Sequence, residues 1–345
     1  MSDQKFVPIY QQLFEKYQQA IQTQVFSPGA RIDSINELIQ KHRVSRETAK
    51  LVLQKLADAG LIVKRAGKGS FVADLGPRQK SWGIVVPYYS TQIDELLNLL
   101  SFEAVKLERN FEQFIDYNNW EEEIRLVGSL INQRYEAVIV IPTMDETKTA
   151  NFYMNLVSGG TVVTLLDHTM SGSYFTYAIQ SYDLGVQRAV QHLHNTTPGN
   201  LAFIKNTTWA GRNMVQELME ATFINYVELQ PDMRKAVVFN QIFNIAPQSL
   251  RDENITGIFC CDDFDAVRIV GRLLEWEFQI PYDISVLSYG NTDLARYFTP
   301  RISSIDTHNE EMIQRTTEII QAHLNGKDVR YAQYVIQPEL LIRET

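Results

Sequence analysis

The sequence predicts an α/β protein with a small, mostly helical head and a large body of parallel sheets flanked by helices. The chain has 345 residues, too long for one ordinary hydrophobic core. From Trp82 onward, short apolar runs alternate with amphipathic helical stretches, the pattern of strands buried under helices on both faces. Charge is divided along the chain as well. Residues 1–80 carry 13 Lys and Arg against 7 Asp and Glu, a net of +6, which leaves −15 for the remainder of a chain whose formal net charge is −9. A basic head on an acidic body points to a polyanionic partner for the head.

The head reads in order. Residues 9–24 form an amphipathic helix, with Tyr10, Leu13, Phe14, Tyr17, Ala20 and Ile21 at helical spacing, and the Ser-Pro-Gly run at 27–29 breaks it. Ser34 opens a second helix and Glu37 stands three residues on, a capping-box pattern; this helix ends near His42. Ser45 caps a third helix whose apolar stripe is Ala49, Val52, Leu53 and Leu56, with Gly60 as its C-terminal stop. Two short helices joined by a tight connection make a helix-turn-helix. The β-prone runs 61–65 and 70–72 flank Ala66-Gly67-Lys68-Gly69, whose glycines permit a tight turn, so a hairpin wing follows the third helix. Residues 1–74 are thus a winged helix-turn-helix, and the polar stretch 75–81, with Gly76-Pro77, is the linker.

The body begins at residue 82. Strands are expected at 82–87, 137–142, 161–167, 201–205, 256–261 and 284–288, and helices at 94–109, 182–194 and 263–278. A body of this size divides into two lobes, and in open α/β sheets ligands bind beyond the carboxyl ends of the strands. The two cysteines, Cys260 and Cys261, are neighbours in a strand-like run and point to opposite faces; they are read as buried thiols of a reducing cytoplasm. No apolar run approaches the ~18 residues that span a bilayer, and the opening MSDQKFVPIYQQ lacks the apolar segment of a secretory signal. A cytoplasmic protein with no membrane partner is expected. The sequence offers no nucleophile triad, no zinc-ligand spacing and no phosphate loop, and His192 and His194, two apart on a helix, do not share a face. Neither an enzyme nor a protein with a cofactor or metal is expected.

Along its whole length the head resembles the GntR-family winged helix, most closely at SPGARI, at VSRET opening the third helix, at LADAGLI and at the GKGSFV wing. The resemblance implies binding to double-stranded operator DNA. The N-terminal part of the recognition helix enters the major groove, and it carries Ser45, Arg46, Thr48 and Lys50. Arg46 can donate bidentately to guanine or clamp a phosphate, and the hydroxyls and the helix start can hold phosphate oxygens. Ser34 and Asn36 on the second helix, and Lys68 with Gly69 on the wing, complete the implied contacts. Asn36 and Lys50 both stand where arginine is frequent in the family, so the operator sequence does not carry over from relatives.

The body resembles the sugar-sensing domain of LacI-type repressors, itself similar to periplasmic binding proteins. The likeness rests on TVVTLLDH, on DLGVQRAVQHLHNTTPGNLAFIK, on the run from GIFCCDDFDAV to FTPRISSI, and on the closing QPELLIRET. It implies a two-lobed fold, with lobe 1 near 82–178 and 308–328 and lobe 2 near 179–305 and 331–345. Chain crossings follow near 178–182, 304–308 and 327–332. It also implies a homodimer and a small effector, most simply a monosaccharide, bound between the lobes. The effector contacts carried over by position are Tyr88, Tyr89, Thr91, Asp167, Trp209, Arg212, Asp262, Asn291 and Thr307. Asp167 can accept from sugar hydroxyls, Arg212 can donate to sugar oxygens or pair with Asp167, and Trp209 can stack on a sugar face. The family's aromatic followed by two acids is here Tyr289-Gly290-Asn291, so a sugar-binding carboxylate is missing at Gly290, with Asn291 as its substitute or an effector lacking that hydroxyl. The sequence leaves open a nucleobase effector, and activation instead of repression.

Overall fold

Burial of the helix stripes explains the head. The computed structural model describes residues 8–22, 25–26, 28–73, 78–143, 146–154, 156, 160–169, 175–205, 214–230, 234–329 and 332–345. Helices α1 (Ile9–Gln22), α2 (Ile35–His42) and α3 (Arg46–Asp58) bury Leu13, Phe14, Tyr17, Leu38, Val52 and Leu56 in one cluster. The capping box forms as expected: Glu37 N donates to Ser34 Oγ at 3.3 Å and Ser34 N donates to Glu37 Oε2 at 2.6 Å. Ser45 Oγ caps α3 by accepting from Thr48 N at 3.1 Å. The wing is the antiparallel pair β1 (Ile62–Arg65) and β2 (Gly69–Val72), in register from Ile62 opposite Val72 to Arg65 opposite Gly69. Its turn needs glycine, because φ is +71° at Gly67 and +105° at Gly69, where a side chain is strained.

The body follows in chain order. The first run is β3 (Gln79–Val86), α4 (Thr91–Lys106), β4 (Asn110–Ile115), α5 (Trp120–Asn132), β5 (Tyr135–Val140), α6 (Glu146–Met154), β6 (Val162–Asp167) and β7 (Tyr177–Gln180). The second is α7 (Tyr182–Thr196), β8 (Asn200–Ile204), α8 (Met214–Glu228), β9 (Ala236–Phe239), α9 (Pro247–Asp252), β10 (Ile255–Cys260), α10 (Asp263–Glu275), β11 (Ser285–Gly290), α11 (Asp293–Tyr297) and β12 (Ser303–Asp306). The chain ends with α12 (Asn309–Leu324), β13 (Gln333–Ile336) and β14 (Glu339–Leu341). Two six-stranded sheets result, ordered β13-β7-β6-β5-β3-β4 and β14-β12-β11-β10-β8-β9. Every pairing in them is parallel except β12 with β14. Each sheet is covered on both faces. In the first lobe Trp82, Ile84 and Val86 pack with α4 and α12 on one side, while Val85, Val138 and Val140 pack with α5 on the other.

Three details differ from the sequence reading. The first strand opens at Gln79, three residues before Trp82, because Gln79 N is held by Arg134 O at 2.9 Å. Helix α4 starts at Thr91 under a Ser90 cap, where the apolar periodicity suggested Asp94. The assignment of residues 331–345 to lobe 2 is corrected by β13, which pairs in parallel with β7 and so extends the first sheet. The chain therefore crosses at Gln337-Pro338 and not near 327–332; the other crossings, at Ser181 and at Thr307-His308, fall within the expected stretches.

Helix α7 sits flush on the second sheet through Gly185, where an added Cβ would lie 2.7 Å from Tyr289 Cε2 and 2.9 Å from its hydroxyl. A methyl group there overpacks the contact. Gly185→Ala is expected to destabilise the chain by about 1–3 kcal/mol, read as a lower urea midpoint at unchanged slope; a midpoint equal to wild type contradicts the close approach.

Candidate nucleic-acid interface and ligand cleft

The start of α3 presents its polar groups outward. Arg46, Glu47 and Lys50 are exposed. Ser45 Oγ and Thr48 Oγ1 lie 2.8 Å apart, so one hydroxyl proton is used between them and the other can turn outward. The side chains of Arg46, Asn36 and Lys68 have neither a hydrogen bond nor an ion pair among the described residues, and Lys68 rides the exposed wing turn. The wing is tied to the head: Lys64 Nζ donates to Gln54 Oε1 at 2.6 Å, Arg31 bridges to Phe71, and Arg65 lies over the Phe71 ring at 4.9 Å. Between α3 and the wing runs a groove of about 690 Å³ whose charged lining is Lys50, Lys64, Arg65 and one carboxylate, Glu47. Arg31, Lys64 and Arg65 were absent from the sequence-derived contacts. Only the folded hairpin turns their side chains toward the groove or the wing.

In the body the parallel strands end together, and polar groups collect there. Asp167 closes β6 with φ +71° and is only 7% exposed. Its carboxylate accepts from Gln180 Nε2 at 2.6 Å and from Tyr182 OH at 2.8 Å, and His168 Nδ1 lies 3.0 Å away. The other nitrogen of His168 lies 2.7 Å from Pro142 O, so both ring nitrogens face oxygen atoms that can accept. Tyr289 OH donates to Gln180 Oε1 at 2.8 Å, and its ring stacks on Tyr182 with centroids 5.4 Å apart. Burial pushes the Tyr182 and Tyr289 phenols well above the ordinary range, with Asp167 adding to it, so both remain donors. Asp167, His168 and Gln180 belong to the first sheet or its strand end, whereas Tyr182 and Tyr289 belong to the second lobe. A second link between the lobes joins Arg296 of α11 to Glu95 of α4 at 3.6 Å, and Asn309 Nδ2 also donates to Glu95 at 3.1 Å.

The remaining sequence-derived effector residues are scattered around this network. Tyr88 is half-buried against the first-lobe core and close enough to Tyr182 to act on its phenol. Tyr89 is 53% exposed and Thr91 is exposed at the start of α4. Asp262 caps α10, accepting from Asp265 N at 2.7 Å. Thr307 is buried and donates to Asn309 Oδ1 at 2.8 Å. Asn291 is engaged at both ends of its amide, donating to Asp306 Oδ2 at 2.8 Å and accepting from Arg343. Trp209 and Arg212 lie outside the described residues.

Several cleft-side groups were not singled out from the sequence. Asp263 explains the missing acid at Gly290, where φ is +130° and an added Cβ would lie 3.2 Å from Asp263 Oδ2. Asp263, 1% exposed, accepts from Ser304 Oγ at 2.9 Å, from Thr292 N at 2.6 Å and from Ser288 Oγ. Burial pushes its carboxyl above the usual carboxylate range, and a second carboxylate beside it would add like-charge repulsion. Asp262 and Asp265, with Cys261, bring three possible metal-donor atoms within 4.8 Å of one another, but both acids already serve the start of α10, Asp265 also pairing with Arg268 at 3.3 Å.

At the end of β4, Asp116 is fully buried; Oδ1 accepts from Asn118 N at 2.8 Å while Oδ2 has no partner. Burial first, and nearby Glu123 second, push Asp116 up to about 7. Glu123, itself raised by burial, accepts from Thr143 N at 2.6 Å and Tyr153 OH at 2.5 Å. An acid raised on folding binds more protons in the native state, so its contribution falls as pH rises from the ordinary value of 3.8 to about 7. Asp116→Asn removes that titration. Thermal melts of Asp116→Asn are expected to lose less stability than wild type between pH 5 and pH 8; identical pH dependence overturns the assignment.

Comparison with known proteins agrees with both halves. The profile of bacterial regulatory proteins of the gntR family matches residues 9–72, and that of a periplasmic binding protein-like domain matches residues 181–345. The chain is 24% identical over 348 aligned positions to the arabinose metabolism transcriptional repressor of Halalkalibacterium halodurans, covering 92% of this chain and 91% of that protein. It is 22% identical to the HTH-type transcriptional repressor PurR of Pasteurella multocida, covering 92% of this chain and 95% of that one. The crystal structure of a periplasmic binding protein/LacI transcriptional regulator from Alkaliphilus metalliredigens complexed with D-xylulofuranose superposes with a TM-score of 0.61 at 16% identity, over 77% of this chain and 99% of that one. The chain is therefore a transcriptional regulator that joins a head matching the gntR-family model, at residues 9–72, to a body matching the periplasmic binding protein-like model, at residues 181–345.

Proposed function

We propose that the chain is a cytoplasmic repressor of carbohydrate-use genes. It binds a pseudo-palindromic operator as a homodimer, and a monosaccharide held between the lobes weakens that binding. The observation that carries the reading is the convergence of both lobes on Asp167 beside Ser181, where the chain passes from one lobe to the other. A polar ligand that competes for these hydrogen bonds changes the relation of the lobes, and crossing segments absorb the dihedral change. The head, residues 1–74, is followed by the short linker and then by β3 of the first lobe, so the position of that lobe sets the spacing of the two winged helices in the dimer. By linkage, a ligand that prefers one lobe arrangement must change operator affinity. The full-length likeness to an arabinose-metabolism repressor supports a sugar as the effector. The proposed effector contacts are Asp167 with Tyr88, Tyr89, Thr91, Asp262, Asn291 and Thr307, joined by Trp209 and Arg212 on the family resemblance alone. On this reading the chain is a regulator without catalytic chemistry of its own.

Three measurements test this. Half-sites are expected about one helical turn apart, and Arg46→Ala is expected to weaken operator binding by about 1–3 kcal/mol at matched salt; wild-type affinity refutes the assignment of α3 as recognition helix. A thermal-shift panel of pentoses, hexoses and purines identifies the effector, because a ligand of the native state raises its stability. Operator titration with that effector is expected to shift affinity by about 1–3 kcal/mol in wild type and to show no shift in Asp167→Asn, each protein compared with its own effector-free affinity. A full shift in Asp167→Asn places the effector contact elsewhere.

A further inference from the structure

Glu47 is an anomaly on a surface that meets a polyanion. It stands in the first turn of α3, its side chain 80% exposed, as the one carboxylate lining an otherwise cationic groove beside the wing. Its value to the helix start is small, because Ser45 already caps α3. Facing phosphates, a carboxylate is repelled; it becomes favourable only against a donor, and the donors on the major-groove edge are the amino groups of cytosine and adenine. Adenine places the N7 acceptor beside its amino group and so repels the second carboxylate oxygen, whereas cytosine does not. Lys50 Nζ lies 3.2 Å from Glu47 Oε1. An acceptor and a donor at that spacing match the cytosine amino group and guanine O6 of a single C·G pair, themselves about 2.9 Å apart as hydrogen-bond partners.

We propose that Glu47 and Lys50 act as one unit that reads a C·G base pair in each half-site, Glu47 accepting from cytosine N4 and Lys50 donating to O6 or N7 of its guanine. The proposal rests on the operator-binding reading of the head and adds to it the base that the head selects. The bare alternative is a solvated ion pair along the helix that touches no base.

The test is selection of a randomised DNA duplex library by the full chain at one salt concentration, for wild type, Glu47→Gln and Lys50→Ala. Wild type is expected to recover a two-fold motif with an invariant C·G pair in each half-site. Glu47→Gln is expected to keep every other position and to turn that pair toward A·T, because glutamine pairs bidentately with adenine N6 and N7. On single-base variants of the recovered site, preference for cytosine is expected to fall from about ten-fold to about two-fold or less in Glu47→Gln, and Lys50→Ala is expected to lose the guanine preference at the same pair. Both side chains are exposed, and unchanged melting of the variants excludes misfolding. A Glu47→Gln motif identical to the wild-type motif overturns the proposal and leaves operator binding intact. Failure of wild type to select any motif overturns the operator reading itself, and this proposal with it.

Discussion

Asp167 cannot remain both buried and ionised without donors, and meeting that demand organises the body. A carboxylate taken out of water costs several kcal/mol unless its lone pairs are filled. Here they are filled by Gln180 and Tyr182, the residues on either side of Ser181, and by His168 next to Asp167 itself. Gln180 and Tyr182 thus sit on the stretch of chain that passes between lobes. Tyr289, from the central part of the second sheet, closes the circuit by donating to Gln180 and stacking on Tyr182. One buried carboxyl group therefore ties a strand end of the first sheet, a crossing segment and the second sheet into a single unit. Any group that competes for Asp167 acts on all of them.

Other buried acids along the strand ends meet the same demand by different means. Asp263 draws on the hydroxyls of Ser288 and Ser304 and on a backbone N–H, and Gly290 leaves room for it. Glu123 takes a tyrosine hydroxyl and a backbone N–H, while Asp116 keeps one oxygen unpartnered and is pushed toward its neutral form. The C-terminal QPELLIRET run braces the second sheet: Thr345 Oγ1 donates to Val286 O at 2.7 Å and Arg343 donates to Ile302 O, both at the starts of β11 and β12. Arg343 also reaches Asn291 beyond the end of β11.

The head follows an opposite logic. Its framework polar groups are satisfied internally: the Ser34–Glu37 capping box, the Ser45 cap, and Tyr17 with Asp33, Lys41 and His42. The side chains of Arg46, Asn36 and Lys68 are left without partners among the described residues. Unpaired cations on a rigid helix and a rigid turn can meet phosphates or base edges without first breaking an internal bond.

The sequence alone determined the elements whose causes are local. Caps at Ser34 and Ser45, the apolar stripe of α3, the glycine turn of the wing and the alternation of strands with helices depend on neighbours within a few residues, so spacing reveals them. It also marked Asp167 and the loss of an acid at Gly290, both through family resemblance. It did not reveal that β13 joins the first sheet, because strand pairing across more than 150 residues leaves no periodicity to read; Gln333 opposite Tyr177 is a fact of tertiary structure. Nor did it reveal Gln180, Tyr182, His168 and Tyr289 around Asp167, or Asp263 behind Gly290. Each reads as an ordinary polar or aromatic residue in its own segment. They become a site only where parallel strands from two distant stretches end together and exclude the water that would otherwise solvate their charges.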